Sequence, residues 1–193
     1  YTPADIVPNR IVVFRPMIRT KIIGTGSYLP ERVVSNREVG ASLGLDPAVV
    51  SRLTGIEERR WAAASQATSD LAVEAARQAL EVAGLPVSEL GAIVLSTTSP
   101  DSVFPSTACH VQRMLGCATI PAFDVAASCS GFLYGLSMAD AMIRSGQVTT
   151  CVVVAAEVKS RSIDPADGDT VLLFGDGAGA VVLRGEPETG PPG

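Results

Sequence analysis

Two hydrophobic periods alternate along this chain, one near two residues and one near 3.6. Lys21-Ile-Ile-Gly-Thr-Gly-Ser27 reads as a strand that breaks at Tyr28-Leu-Pro30. Asn36 caps a short helix running to Leu43, which Gly44 ends. Asp46 caps a second helix, with Pro47 in its first position and Leu53 at its end. Ser69 is the expected cap of a longer amphipathic helix, with Leu71, Ala72, Ala75, Ala76, Ala79, Leu80 and Ala83 on one stripe and Gly84 after it.

The second half of the chain is more apolar. Ala92-Ile-Val-Leu-Ser96 predicts a fully buried strand, followed by a loop from Thr97 to Pro105 and a helix from Ser106 to Leu115, closed by Gly116. A strand from Ala122 to Ala127 feeds a helix from Cys129 to Ser145. That helix carries Phe132, Leu136, Ala139 and Ile143 on one stripe and Leu133 and Met142 off it, so it is expected to be buried on all sides. Cys151 to Ala156 predicts another buried strand, and the glycine turn Phe174-Gly-Asp-Gly-Ala-Gly179 leads into a last strand from Ala180 to Leu183. One strand, three helices and then alternating strands and helices require helices in a middle layer as well as outside, a layered α/β fold.

Composition narrows the function classes. The chain of 193 residues is 47% hydrophobic and 18% charged, with a net charge of −5. Its mean hydropathy is +0.31. No basic stripe exists for nucleic acid, and no apolar run approaches the length of a membrane span. Cys109, Cys117, Cys129 and Cys151 form no C-x-x-C and no dense framework, which suits reduced thiols in a cytoplasmic protein. His110 is the single histidine and matches no zinc spacing, so no metal is expected. Gly24-x-Gly26 lacks the third glycine and the following helix of a dinucleotide loop and reads as close backbone packing. The 174–179 turn lacks the lysine and hydroxyl of a phosphate loop and reads as a tight turn between layers. Residues 1–16 read as an extension or tag, 17–185 as the domain, and 186–193 as a tail or the start of a linker.

One residue stands out chemically. Cys129 follows Phe123-Asp-Val-Ala-Ala-Ser128, where a buried strand turns into a helix. A free cysteine is more often a small buried hydrophobe. Here the strand delivers the sulfur into a crevice, and the helix behind it points its unpaired N–H groups at that sulfur, which favours an anionic nucleophile. The same N–H groups suit the oxyanion formed when a thiolate attacks an acyl carbonyl.

The motifs Lys21–Pro30, Thr54-Gly-Ile-Glu-Glu-Arg59, Phe104-Pro-Ser106, Ala122–Ala127, Cys129-Ser-Gly-Phe132 and Phe174–Gly179 occur together and in this order. The set resembles β-ketoacyl-acyl-carrier-protein synthase III, one of the thiolase-like condensing enzymes, over about Met17 to Gly185. The resemblance implies a thiolase-like layered fold, α-β-α-β-α in a full enzyme. This chain would be its N-terminal half, a βαβαβαββ unit with a mixed sheet and a buried nucleophile helix. It implies an acyltransferase of fatty-acid or polyketide synthesis. Cys129 takes an acyl group from acyl-coenzyme A, a substrate rather than a resident cofactor. Malonyl-acyl carrier protein then loses carbon dioxide and attacks the thioester. Phe104 resembles a residue that crosses a homodimer interface to close the partner's acyl pocket. Arg161 matches an arginine that packs on the adenine of coenzyme A. Phe104, Thr97 and Met142 are expected to set the depth of the acyl pocket.

Two features depart from the family pattern. The family carries a tryptophan before Thr-Gly-Ile, whereas this chain has Val49; Trp61, its only tryptophan, lies beyond the motif and reads as packing. Coenzyme A would then bind more weakly, or the acyl donor would be another thioester. The family is also about twice this length, and its second half supplies a histidine and an asparagine that this chain lacks. His110, inside the Ser106–Leu115 helix, reads as an ordinary polar residue. A half of this kind exposes an apolar face that favours tight association with another chain. The other readings are a non-catalytic or split subunit, an enzyme passing the acyl group to an alcohol or amine, and another thiolase-like enzyme such as a thiolase or HMG-CoA synthase.

Overall fold

A computed structural model describes residues 18–188; the expected extension at 1–16 and the residues from 189 onward lie outside them. The strands are β1 (Ile18–Tyr28), β2 (Arg32–Ser35), β3 (Glu58–Trp61), β4 (Ile93–Ser96), β5 (Ala122–Val125), β6 (Thr150–Val158) and β7 (Asp176–Pro187). The helices are α1 (Asn36–Ala41), α2 (Pro47–Thr54), α3 (Thr68–Ala83), α4 (Thr107–Leu115), α5 (Gly131–Arg144) and the short α6 (Gly168–Val171). Five strands form a mixed sheet in the order β1-β7-β6-β4-β5. β4, β5 and β6 run parallel, while β7 is antiparallel to β6 and to β1. The fold is mixed α/β, as expected.

The period-two pattern sorts each central strand between two cores. Ile93 and Leu95 of β4 with Val152, Val154 and Ala156 of β6 face α3 and α4. Val94 of β4 with Cys151 and Val153 of β6 face α5, where Ala139 and Ile143 cover them. Both faces of the sheet are buried, which is why these strands are continuously apolar. β1 lies against α3 through two glycines. A Cβ on Gly24 would stand 2.2 Å from the carbonyl oxygen of Ala79, and one on Gly26 2.2 Å from that of Ala75. The Gly24-x-Gly26 pair is therefore backbone packing, with no nucleotide loop.

Several boundaries differ from the sequence reading, each for a physical reason. The N-cap of α1 is Ser35, whose hydroxyl accepts from Glu38 N–H, and Asn36 already lies within the helix. Ser69 does not cap α3. The helix starts at Thr68, Asp70 turns back to the Ala67 N–H at 2.7 Å, and Ser69 instead bonds Asp101 across the fold. The glycine segment expected as a turn belongs to β7 from Asp176 onward, and β7 runs beyond residue 185, pairing with β1 as far as Pro187. β2 and β3 form a separate two-stranded sheet that hydrophobic periodicity did not mark.

The largest difference concerns α5. It buries Gly131, Gly135, Ala139 and Ile143 against the sheet, but Leu133, Tyr134 and Met138 are exposed. The nucleophile helix is half-buried rather than buried on all sides, because no element among the described residues packs on its outer face.

Candidate active site

β5 ends at Val125, and two alanines later Ser128 adopts φ +48°, a left-handed conformation that few non-glycine residues take. It turns the chain through a single 3₁₀ turn, Ser128–Ser130, straight into α5. Gly131 lets the helix start close over the end of β4: a Cβ there would sit 2.1 Å from Ser96 Oγ and 3.2 Å from Ser96 Cβ, so a larger residue would force the Ser96 side chain aside. Cys129 thus stands exposed at the N-terminal end of α5, where the first-turn N–H groups lack intrahelical partners.

Cys129 opens onto a cavity of about 580 Å³ at the carboxyl ends of the parallel strands β4, β5 and β6. Phe132, Phe174, Ala155 and Ala156 make its apolar wall, and Gly175 and Gly177 let the β7 backbone approach. Its polar side holds Ser96, Thr98, Glu157 and Lys159. Glu157 and Lys159 are its charged groups, with Lys159 Nζ 3.7 Å from Glu157 Oε2. A larger crevice of about 740 Å³ between α1 and α2 is lined by Arg37, Arg52 and Glu57 and by no cysteine.

Two carboxylates, the half-buried Asp124 and the buried Asp176, tie together the segments around the cavity. Asp124 of β5 accepts the Thr107 and Ala108 N–H groups at 2.7 and 2.8 Å, capping α4 from outside the helix. Asp176 accepts from Ala62 N–H at 2.7 Å and from the Ser160 N–H and hydroxyl at 2.8 and 2.6 Å, joining β3, β7 and the segment after β6.

The structure sorts the expected site residues. Cys129 lines the cavity. Thr97 does not: it is 2% exposed and donates to Glu157 Oε2 at 3.3 Å, while Thr98 takes the place on the wall. Met142 packs in the α5 core about three and a half turns beyond Cys129, away from the cavity. Arg161 lines a neighbouring crevice of about 290 Å³, and its guanidinium donates to the carbonyls of Ala63 and Gln66 at 2.5 Å each. Phe104 and Val103 project from the loop before α4 at 89% and 101% exposure, clear of the cavity of their own chain. Val49 is half-buried on α2. Trp61 packs beside Val34 and Val39, with the Arg32 guanidinium 5.1 Å from its ring centre. His110 lies on α4, outside the cavity wall.

Sequence reasoning missed Thr98, Glu157 and Lys159. The available signal was β6 itself, an apolar strand whose penultimate residue, Glu157, falls on the same face as Ala155.

The other thiols are unlike Cys129. Burial pushes the Cys151 thiol up to about 12 and raises that of Cys117. No helix among the described residues is long and apolar enough to cross a membrane, and none of them form a group of three or more metal-ligating side chains.

The family model for 3-oxoacyl-[acyl-carrier-protein] synthase III matches residues 123–191, which include the nucleophile turn, β6 and β7. A relative in Laribacter hongkongensis named β-ketoacyl-[acyl-carrier-protein] synthase III is 52% identical over 171 residues, covering 88% of this chain and 53% of the relative. Over the matched residues the chain is similar to β-ketoacyl-[acyl-carrier-protein] synthase III. The protein of that name in Escherichia coli strain K12 is 47% identical over 89% of this chain and 54% of its own length. Among solved structures, synthase III from Aquifex aeolicus superposes with a TM-score of 0.83 at 44% identity, covering 86% of this chain and 54% of that one. The priming β-ketosynthase of the R1128 polyketide pathway superposes with a TM-score of 0.84 at 36% identity, covering 92% and 53%. The chain thus spans about half the length of the curated synthase III relatives it matches.

Proposed function

We propose that this chain supplies the acyl-accepting half of a condensing enzyme. The observation that carries the reading is the exposed Cys129 at the start of α5, facing a mostly apolar cavity at the strand ends. The Cys129 sulfur attacks the carbonyl of an acyl-coenzyme A. The C–S bond to coenzyme A breaks, coenzyme A leaves as its thiol, and the acyl group remains on Cys129 as a thioester. The Cys129 N–H and the first turn of α5 stabilise the oxyanion of that step. In the complete enzyme, malonyl-acyl carrier protein loses carbon dioxide. Its carbanion attacks the Cys129 thioester, forming a carbon–carbon bond and releasing the Cys129 thiolate with a β-ketoacyl product.

Other assignments belong to the same reading. The second half, with its histidine and asparagine, completes the decarboxylating site. Arg161, held by the carbonyls of Ala63 and Gln66, packs on the adenine of coenzyme A. Phe104 reaches a second copy in a cytoplasmic homodimer. The exposure of Val103 and Phe104 on a loop anchored through Asp101 supports that contact. Residues 17–185 act as one domain, with the segment from 186 onward leading to the second half.

The test is a turnover assay of the full-length protein with acetyl-coenzyme A and malonyl-acyl carrier protein. The expected result is one carbon dioxide released per β-ketoacyl product, and none of either from Cys129→Ala. Unchanged turnover in Cys129→Ala would contradict the proposal, and no turnover in the wild type would point to a non-catalytic subunit.

A further inference from the structure

Glu157 lies near the carboxyl end of β6, and its carboxylate is a shared acceptor for the loop after β4. Thr98 donates to its Oε1 twice, from the main-chain N–H at 2.8 Å and from the hydroxyl at 2.9 Å. Thr97 Oγ1 donates to Oε2 at 3.3 Å, and Ser99 Oγ donates to the same oxygen. Three consecutive hydroxyl residues therefore converge on one carboxylate some sixty positions away in sequence. The loop closes on itself around this point. Ser99 N–H donates to Thr97 Oγ1 at 3.1 Å, Val158 N–H donates to Ser99 Oγ at 2.9 Å, and Thr68 Oγ1 of α3 donates to the Ser99 carbonyl at 2.5 Å.

A carboxylate has about four lone-pair sites. Four donors from the loop occupy them, with the Lys159 ammonium close by, so Glu157 has no open acceptor for a substrate proton. Its position still matters to the chemistry, because Glu157 and Thr98 both line the cavity into which Cys129 opens. β4 and β6 are paired only as far as Ser96 and Ala155. Beyond that pair, the Glu157 clamp takes over from the sheet in holding the two walls together.

We infer that Glu157 is a positioning residue that sets the size of electrophile able to reach Cys129, by drawing the Thr97–Ser99 loop onto the end of β6. This rests on the reading of Cys129 as the nucleophile. Glu157→Gln keeps the shape of the side chain but replaces one acceptor end with a donor, so either Thr98 or the Thr97–Ser99 pair loses its anchor. The wall then loosens without any change at the thiol.

The experiment measures alkylation of Cys129 in the full-length protein by a small reagent, iodoacetamide, and a bulky one, N-phenylmaleimide, read as modified Cys129 peptide over time. Glu157→Gln is expected to raise the bulky-to-small rate ratio by about ten-fold, the scale on which pocket contacts discriminate size, with the iodoacetamide rate within about two-fold of wild type. Thr98→Val, which removes only one hydroxyl, is expected to shift the ratio the same way by less, and it serves if Glu157→Gln does not fold. An unchanged ratio in both variants would overturn the inference. So would an equal fall in both rates, because the carboxylate would then be acting on the thiol itself. Acetyl-coenzyme A is run in parallel on the wild type. A shifted alkylation ratio with no acylation of wild-type Cys129 would overturn the acyl-transfer reading and leave the clamp standing.

Discussion

Three residues, Ser128, Cys129 and Cys151, show how local structure sets chemistry in this fold. Ser128 carries the left-handed backbone that aims Cys129. A β-branched side chain is poorly tolerated there, so Ser128→Val is expected to lower stability by about 1–2 kcal/mol in urea unfolding. Ser128→Gly is expected to change it by less than about 1 kcal/mol, because strain relief offsets the added freedom of the unfolded chain. Cys129 and Cys151 mark the two extremes of thiol environment, one exposed and one fully buried. A stoichiometric thiol reagent at neutral pH should modify Cys129 first and Cys151 only on unfolding. Burial raises the Cys151 thiol to about 12 from an ordinary value of 9.0. The unfolded state therefore releases its proton first as pH rises. The stability contributed by the neutral buried thiol is intact below pH 9 and is lost between about pH 9 and 12, with a slope of at most about 1.4 kcal/mol per pH unit. Cys151→Ala should flatten that part of the stability profile, measured by denaturant unfolding from pH 8 to 11.

At the scale of elements, the contact between β1 and α3 is the most exacting. Gly26→Ala places a methyl group against the α3 backbone and should cost about 2–3 kcal/mol, visible as a lowered thermal midpoint. α4 depends on a cap that its own sequence does not supply: Ser106 makes no side-chain cap bond, and Asp124 provides the acceptors from β5. Asp124→Ala should cost about 1–2 kcal/mol by the same assay. These elements also show what sequence can and cannot reveal. α2 was legible because Asp46 and Pro47 mark its start; it runs one residue past the expected Leu53, to Thr54, where Gly55 takes the left-handed cap. The central strands were legible because burial on both faces makes them continuously apolar. β2 and β3 were not, because Arg32-Val-Val-Ser35 and Glu58-Arg-Arg-Trp61 have no apolar period. Arg59 is buried there with Asn36 Oδ1 and the Leu172 carbonyl, each at 3.0 Å, and the Val34 carbonyl at 3.5 Å accepting from it. In the candidate site, Cys129 was legible from its strand-to-helix turn. Which of Thr97 and Thr98 faces the cavity depended on how the loop leaves β4. The partners of Glu157 lie in another part of the chain, beyond any local pattern.

At the scale of the molecule, the outer face of α5 sets the expected behaviour of the chain on its own. Leu133, Tyr134 and Met138 form an apolar exposed strip on a helix whose other side is fully packed. The isolated chain should therefore self-associate at micromolar concentration, and Leu133→Glu combined with Met138→Glu should shift its sedimentation toward the monomer. The two-sided sheet, the nucleophile turn and the strand-end cavity together make one claim, that Cys129 is the atom-bearing residue of acyl transfer. Intact-mass analysis of the full-length protein after brief incubation with a mixture of acyl-coenzyme A thioesters tests it most directly. The account predicts a single acyl adduct, mapped to the Cys129 peptide and absent from Cys129→Ala. An adduct that persists in Cys129→Ala, or a full-length protein that gains no acyl mass at all, would contradict it.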